Sequence, residues 1–234
     1  MISRAIEDYV KAIFQLRVEG HAVTTSALAD ALGISNASAT NMIKKLAKLK
    51  LARHSPYRGV ELTRAGEKIA LEIIRHHRLI ETFLTEALGV PWDRVHAEAE
   101  KIEHVISEDL EERIANFLGN PRQDPHGDPI PSKALEIEPS PSVTLADIPV
   151  GQSAVIRRFS DQDPERLRHF SHLGLVPNAT VNVIQREPFA GPVRVRAKRG
   201  AESVLDEKLA RTILVSALHR QGAKHAKKNL KSKI

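Results

Sequence analysis

Six side chains in the middle of the chain, His77, Glu81, His96, Glu100, Glu103 and His104, have the types and spacings to hold a divalent cation. If Val95 to Ile106 is helical, 100° per residue places His96, Glu100, Glu103 and His104 within an arc of about 100°. Apolar Val95, Ala99, Ile102 and Ile106 occupy the adjoining arc. Polar groups at the margin of a buried face are costly unless something pairs with them, and one divalent cation pairs with all of them at once. Taken alone, the segment also reads as the polar shoulder of an amphipathic helix. A second helix tips the balance: His77 lies on the apolar stripe formed by Ile73 and Ile80, and Glu81 follows it by four residues. A lone histidine there is usually a satisfied core residue; a His and a Glu facing two more of each are harder to dismiss.

The same residues argue against catalysis. A ferritin-like di-iron helix needs Glu-x-x-His, but position 101, three before His104, is Lys. A zincin needs His-Glu-x-x-His, and Ala97 follows His96. Cysteine is absent, which excludes disulfides and thiolate sites and leaves carboxylate and imidazole donors. The expectation is a binding protein and no enzyme.

The elements that position these residues follow from charge and periodicity. The 234 residues allow two or three domains, and 41% hydrophobic content supports an aliphatic core. No apolar run reaches the length of a membrane span and no signal-peptide pattern opens the chain, so a cytoplasmic protein is expected. Net charge is +4 over residues 1–62, −7 over 63–141, +3 over 142–218 and +6 over 219–234. Basic ends around an acidic middle suggest polyanion contact at the ends and cation contact between them.

Residues 3–18 read as a helix with Ser3 as a possible cap and Ile6, Tyr9, Val10, Ile13 and Leu16 on one face; judged locally, Asp8 is a solvated carboxylate. Thr24–Leu32, with Leu28, Ala31 and Leu32 apolar, ends at Gly33, and Ser35 can cap a helix over Asn36–Leu49 whose Met42, Ile43, Leu46 and Leu49 face inward. This is a helix-turn-helix pattern. Its second helix offers Ser35, Asn36, Ala37, Ser38, Thr40 and Asn41 at the end that would enter the major groove, with Lys44 placed for phosphate. The hairpin that follows, with Tyr57 and Arg58 at its tip, is the expected wing. A long helix to Leu88, the His/Glu helix, and a helix capped by Ser107 and holding Leu110, Ile114, Phe117 and Leu118 complete an acidic helical segment suited to dimerisation. Asn120–Ser142, with six prolines, reads as a linker, tied down at the turn Asp124–Pro131. Short β segments (153–159, 180–185, 193–197, 212–217) around a helix at Pro164–Leu173 predict a small SH3-like barrel, and the lysine-rich 219–234 a disordered tail with salt-sensitive DNA affinity. The expected fold is mainly α with small β: winged helix-turn-helix (1–62), helical metal-binding and dimerisation domain (63–141) and barrel (142–218).

With these parts in this order, the chain resembles the diphtheria-toxin-repressor family of metal-dependent regulators over roughly residues 3–218. The resemblance rests on Glu7-Asp8-Tyr9, on Arg75-His-His77 through Glu81, on Val95-His96 through Glu103-His104 and Ser107, and on His126-Gly-Asp-Pro-Ile-Pro131. It implies a homodimer whose two winged helices grip a palindromic operator in double-stranded DNA once metal is bound. It also implies a principal site of Asp8, Glu100, Glu103 and His104, with His77 shared, and an ancillary site of His77, Glu81 and His96 completed from the barrel by Asp163, with Asp161, Glu165 or His169 as other candidates. Asp8 and Glu100 stand where iron-sensing members carry Met and Cys, which resembles the manganese-sensing branch and suits a hard cation. Some manganese-sensing members carry a further carboxylate where this chain has Lys11, and they lack the barrel. The expected effector is Mn²⁺, with Fe²⁺ as the alternative and Zn²⁺ or Cd²⁺ able to substitute in vitro, acting on a repressor of metal-uptake genes. A winged-helix regulator answering to an organic ligand or a partner protein is the competing class.

Overall fold

Helix α1 (Arg4–Val18) buries every residue from Tyr9 to Phe14, so the middle of an outwardly amphipathic helix is enclosed on all sides. One of those residues is Lys11, an ammonium that sequence patterning gives no reason to bury. The structure, a computed structural model, describes residues 2–55, 59–198 and 202–218. The chain divides into two compact units, Met1–Pro139 and Ser140–Ile234.

In the first unit, α1 packs with α2 (Thr25–Leu32), α3 (Asn36–Lys48), the hairpin β1 (Ala52–Ser55) and β2 (Gly59–Leu62), and α4 (Arg64–Leu88). Side-chain caps and left-handed glycines bound these helices. Thr24, Ser35 and Thr63 accept from Ala27, Ser38 and Gly66 backbone N–H, and Gly33 (φ 64°) and Gly89 (φ 68°) close their helices in the left-handed region. Ser3 occupies the N-cap of α1 without a side-chain cap bond. Two apolar assignments change: Ala29 is buried and Ala31 exposed, and Leu49, expected to face inward, is exposed because it lies past the end of α3. Gly66 is required by close approach, since a Cβ there would meet the Leu51 carbonyl oxygen at 2.1 Å.

Helix α5 covers Val95–Ile102, shorter than the expected 95–106. Glu103 is its C-cap and His104 falls in the turn that follows. Val95 and Ala99 are buried as expected, but Ile102 is exposed. Helix α6 (Glu108–Phe117) is capped by Ser107 and buries Ile114 and Ala115, while Leu110 and Phe117 face solvent. The proline-rich stretch is built, not slack: Gln123 bridges Pro129, and Arg78 donates to the Pro129 carbonyl at 2.5 Å.

The second unit is a five-stranded antiparallel sheet with order β6-β5-β4-β3-β7, formed by β3 (Ser153–Phe159), β4 (Thr180–Arg186), β5 (Val193–Ala197), β6 (Glu202–Leu205) and β7 (Ile213–Ala217). Helix α7 (Pro164–His172) buries Leu167 and Phe170. Strand β6 and the short α8 (Glu207–Arg211) were not expected from the sequence, because four residues of strand and five of helix give too few periods to register. Among the described residues no helix is long and apolar enough to cross a membrane. The expected tail and the hairpin tip lie outside the described residues.

Candidate metal centre

Three groups of donor atoms, each with its members within 4.8 Å of one another, gather in the first unit: Asp8, Glu103 and His104; His77, His96 and Glu100; Glu81, Asp124 and His126.

The first group joins α1 to the turn after α5. His104 Nδ1 lies 2.7 Å from Glu7 Oε2, so this nitrogen carries the proton and donates it to Glu7. The other nitrogen, Nε2, lies 2.8 Å from Asp8 Oδ1 and 3.2 Å from Glu103 Oε1. It is buried, and neither approach has hydrogen-bond geometry. A buried ring nitrogen and two carboxylate oxygens thus converge with no hydrogen bond between them, an arrangement that one divalent cation bound to all three stabilises. Burial pushes the Asp8 carboxyl up, with Glu103 and Glu100 adding to it, against His104 and Arg4.

His77, on α4, connects all three groups. Its Nε2 lies 2.8 Å from Glu81 Oε1 and 3.0 Å from His96 Nδ1, while Nδ1 touches Glu103 Oε2. Burial pulls the His77 imidazole toward neutrality, but Glu81 and Glu103 outweigh it and raise its pKa against the opposing Lys11. His96 Nε2 is 3.8 Å from Glu100 Oε1. Lys11 stands among these groups: its Nζ is 2.8 Å from Glu100 Oε1 and 2.9 and 2.8 Å from the two oxygens of Glu103.

The third group is the most deeply buried. Glu81 Oε2, Asp124 Oδ2 and His126 Nδ1 are enclosed with no hydrogen-bond partner. His126 Nε2 donates to the Trp92 carbonyl at 2.7 Å, which leaves Nδ1 as the free donor atom toward the carboxylates. Asp124 uses its other oxygen to accept from the backbone N–H of His126 (2.8 Å) and Asp128 (2.9 Å), so the turn itself aims Oδ2. Burial, with Asp128 and Glu81 close by, pushes the Asp124 carboxyl up to about 8. For His126 burial acts downward, but Glu81 and Asp124 outweigh it and raise the imidazole to about 9. Sequence reasoning placed Asp124 and His126 in a turn, and His126 in a motif that carries the resemblance, but gave neither a ligand role; an Asp and a His two apart in a proline-fixed turn were the available signal.

Three segments of the chain match models of known families: residues 1–60 an iron-dependent repressor N-terminal DNA-binding domain, 63–132 an iron-dependent repressor metal-binding and dimerisation domain, and 143–217 a FeoA domain. The iron-dependent repressor IdeR of Mycobacterium tuberculosis is 34% identical over 189 residues, 76% of this chain and 82% of IdeR. The chain belongs to the iron-dependent repressor family. The diphtheria toxin repressor of Corynebacterium efficiens is 29% identical over 191 residues, 77% of this chain and 83% of that repressor. Among solved structures, a manganese-dependent transcriptional repressor in complex with manganese superimposes with TM-score 0.85 at 38% identity, over 91% of this chain and all of that one. ScaR with bound Cd²⁺ gives 0.79 at 28% identity, over 91% of this chain and 99% of that one. The protein is therefore a metal-dependent DNA-binding transcriptional repressor with a dimerisation domain, and its family is one of repressors rather than enzymes.

In this repressor the expected DNA face is available. Ser35, Asn36, Ala37, Ser38, Asn41 and Lys44 are exposed along α3 and Thr40 is half-buried. Three of these are partly engaged: Ser35 caps the helix through the Ser38 N–H, its hydroxyl shares a 2.9 Å hydrogen bond with that of Ser38, and Thr40 Oγ1 donates to the Asn36 carbonyl at 2.8 Å. Tyr57 and Arg58 lie outside the described residues. Asp163, in the second unit, is the N-cap of α7, its Oδ1 accepting from Glu165 N (3.1 Å) and Arg166 N (3.0 Å).

Proposed function

We propose that the chain is a manganese(II)-responsive dimeric repressor of metal-uptake genes, working in the cytoplasm on a palindromic operator. The supporting observation is the convergence of His104 Nε2, Asp8 Oδ1 and Glu103 Oε1 across α1 and the turn after α5, where the buried Nε2 has no hydrogen-bond partner. Bound metal supplies positive charge at that point. Asp8 belongs to α1, which packs on α2 and α3, so a cation held by Asp8 and His104 fixes the DNA-reading helices against the helical segment. Fixed helices present two half-sites at one spacing, a population shift set by the metal's preference for that state. The proposed ligands are Asp8, His77, Glu81, His96, Glu100, Glu103 and His104, together with Asp124 and His126; for Asp163 a ligand role is tested by Asp163→Asn. Dimerisation is proposed through the helical segment, which leaves Leu88, Ile102, Val105, Leu110 and Phe117 exposed.

All donors are oxygen or imidazole nitrogen, the set that suits Mn²⁺. An iron(II)-responsive repressor is the second reading, favoured by the 34% identity to IdeR. The test is fluorescence anisotropy of a labelled duplex from the gene's own upstream region, in chelator and then with Mn²⁺, Fe²⁺ or Zn²⁺ added singly. Tight binding with Mn²⁺ at lower concentration than Fe²⁺ supports the proposal. The reverse order selects iron, and binding indifferent to every metal sinks both.

A further inference from the structure

Lys11 makes no sense as a helix-face residue. Its side chain is only 7% exposed, and its three N–H groups are taken up by Glu100 Oε1 and both oxygens of Glu103. An ammonium on a flexible stem ordinarily keeps its head in water. Here it is drawn in because Glu100 and Glu103 put two carboxylates in one place, and Glu103 is fully buried. The ammonium thus does in the metal-free protein what a cation does in the loaded one. It also occupies the same atoms: Glu103 Oε1, 2.9 Å from Lys11 Nζ, is the oxygen that lies 3.2 Å from His104 Nε2. A dication on that oxygen and an ammonium within hydrogen-bond distance of it repel each other strongly in a water-poor site.

We propose that Lys11 is a tethered competitor for the metal: it holds α1 on the carboxylate cluster when metal is scarce, and raises the metal concentration at which the cluster loads. This rests on the metal-responsive reading above and adds to it a residue that sets the threshold of the switch. Removing the ammonium then has two effects of opposite sign. The metal-free protein loses stability, because Glu100 and the buried Glu103 are left without their cation. Metal affinity increases, because nothing has to be displaced.

The experiment is calorimetric titration of the full chain with Mn²⁺, and separately with Co²⁺, for wild type, Lys11→Met and Lys11→Gln. Thermal unfolding in chelator runs alongside. The affinity is read on the binding phase that His104→Ala abolishes. The expected result is a lower Tm without metal and a Kd at least about tenfold tighter in both variants, with DNA binding triggered at correspondingly lower metal. A lower metal-free Tm with an unchanged or weaker Kd makes Lys11 a structural ion-pair partner and overturns the proposal. Should Lys11→Met fail to fold without metal, Lys11→Gln, which keeps a donor toward the carboxylates, carries the test. A wild type that binds no metal overturns the functional reading itself; a wild type that binds, with variants of equal affinity, overturns this inference alone.

Discussion

The two outer donor groups use the same chemistry, carboxylates and an imidazole, in opposite ways. The Asp8, Glu103 and His104 group spans α1 and the turn after α5, has Asp8 partly in solvent, and carries its own cation in Lys11. The Glu81, Asp124 and His126 group is sealed, lies between α4 and the proline-rich turn, and has its basic partner at the edge, Arg78 Nε pairing with Asp124 Oδ2 at 3.7 Å. On the proposed function the first group responds, because metal there would change what α1 of the DNA-binding part is attached to. The other is proposed to consolidate, because both of its walls belong to the same helical body. On this reading, position relative to α1, and not ligand type, separates a sensing site from a stabilising one.

The largest effect that would break this contrast comes from comparing His104→Ala with His126→Ala. His104→Ala is expected to abolish metal-dependent DNA affinity, a coupling typically worth about 5- to 150-fold. His126→Ala should leave that coupling within about threefold while removing much of the Tm gained on adding Mn²⁺. Anisotropy and thermal melts on both variants decide the matter, and equal loss of coupling would make the two groups one switch.

A smaller effect concerns how His104 is aimed. Glu7 holds the Nδ1 proton, so Glu7→Ala should weaken metal binding by about ten- to a hundredfold without removing a ligand. Glu7→Gln, whose side-chain oxygen still accepts, should recover part of that loss. Titration calorimetry on the two variants checks it, and identical affinity in both would show that Glu7 does not orient the ring.

Acidity sharpens the contrast further. His126, raised from 6.5 to about 9, contributes stability that is full below pH 6.5 and is lost as pH rises through 9. Asp124, raised from 3.8 to about 8, acts in the same direction, its protonated form being the one the fold favours. The metal-free Tm should therefore fall between pH 6.5 and 9. The gain on adding Mn²⁺ should grow over the same range, since metal takes the deprotonated ligands. Melts at four or five pH values test this; a metal-free Tm flat to pH 9 would show that the buried group holds no proton.

The smallest effects lie on α3. Asn41→Ala should cost about 1–3 kcal/mol on the operator and flatten preference among sequences. Lys44→Ala should weaken all duplexes alike and reduce the salt slope. Equal losses across sequences from both would remove Asn41 as a base reader.

The caps at Ser35 and Ser107, the stop at Gly33, and the buried positions Ile43 and Leu46 of α3 and Ile73 and Ile80 of α4 were legible in the sequence, because caps and 3.6-residue periodicity act within a few residues. So was the pairing of His77 and Glu81, which one helix turn enforces. The resemblance to a metal-dependent family pointed to Asp8, which periodicity by itself treated as solvated. Tertiary structure alone decided three further things. Helix α5 stops at Ile102, so that Glu103 and His104 leave the helical face and meet α1. Asp124 and His126 come from a loop some forty residues after Glu81 and complete its site. Lys11 turns inward although no local pattern asks for it. The physical reason is common to all three: helix propensity and capping are local, whereas the field of a buried carboxylate cluster exists only after distant segments have been brought together, and that field then determines which cations lie inside.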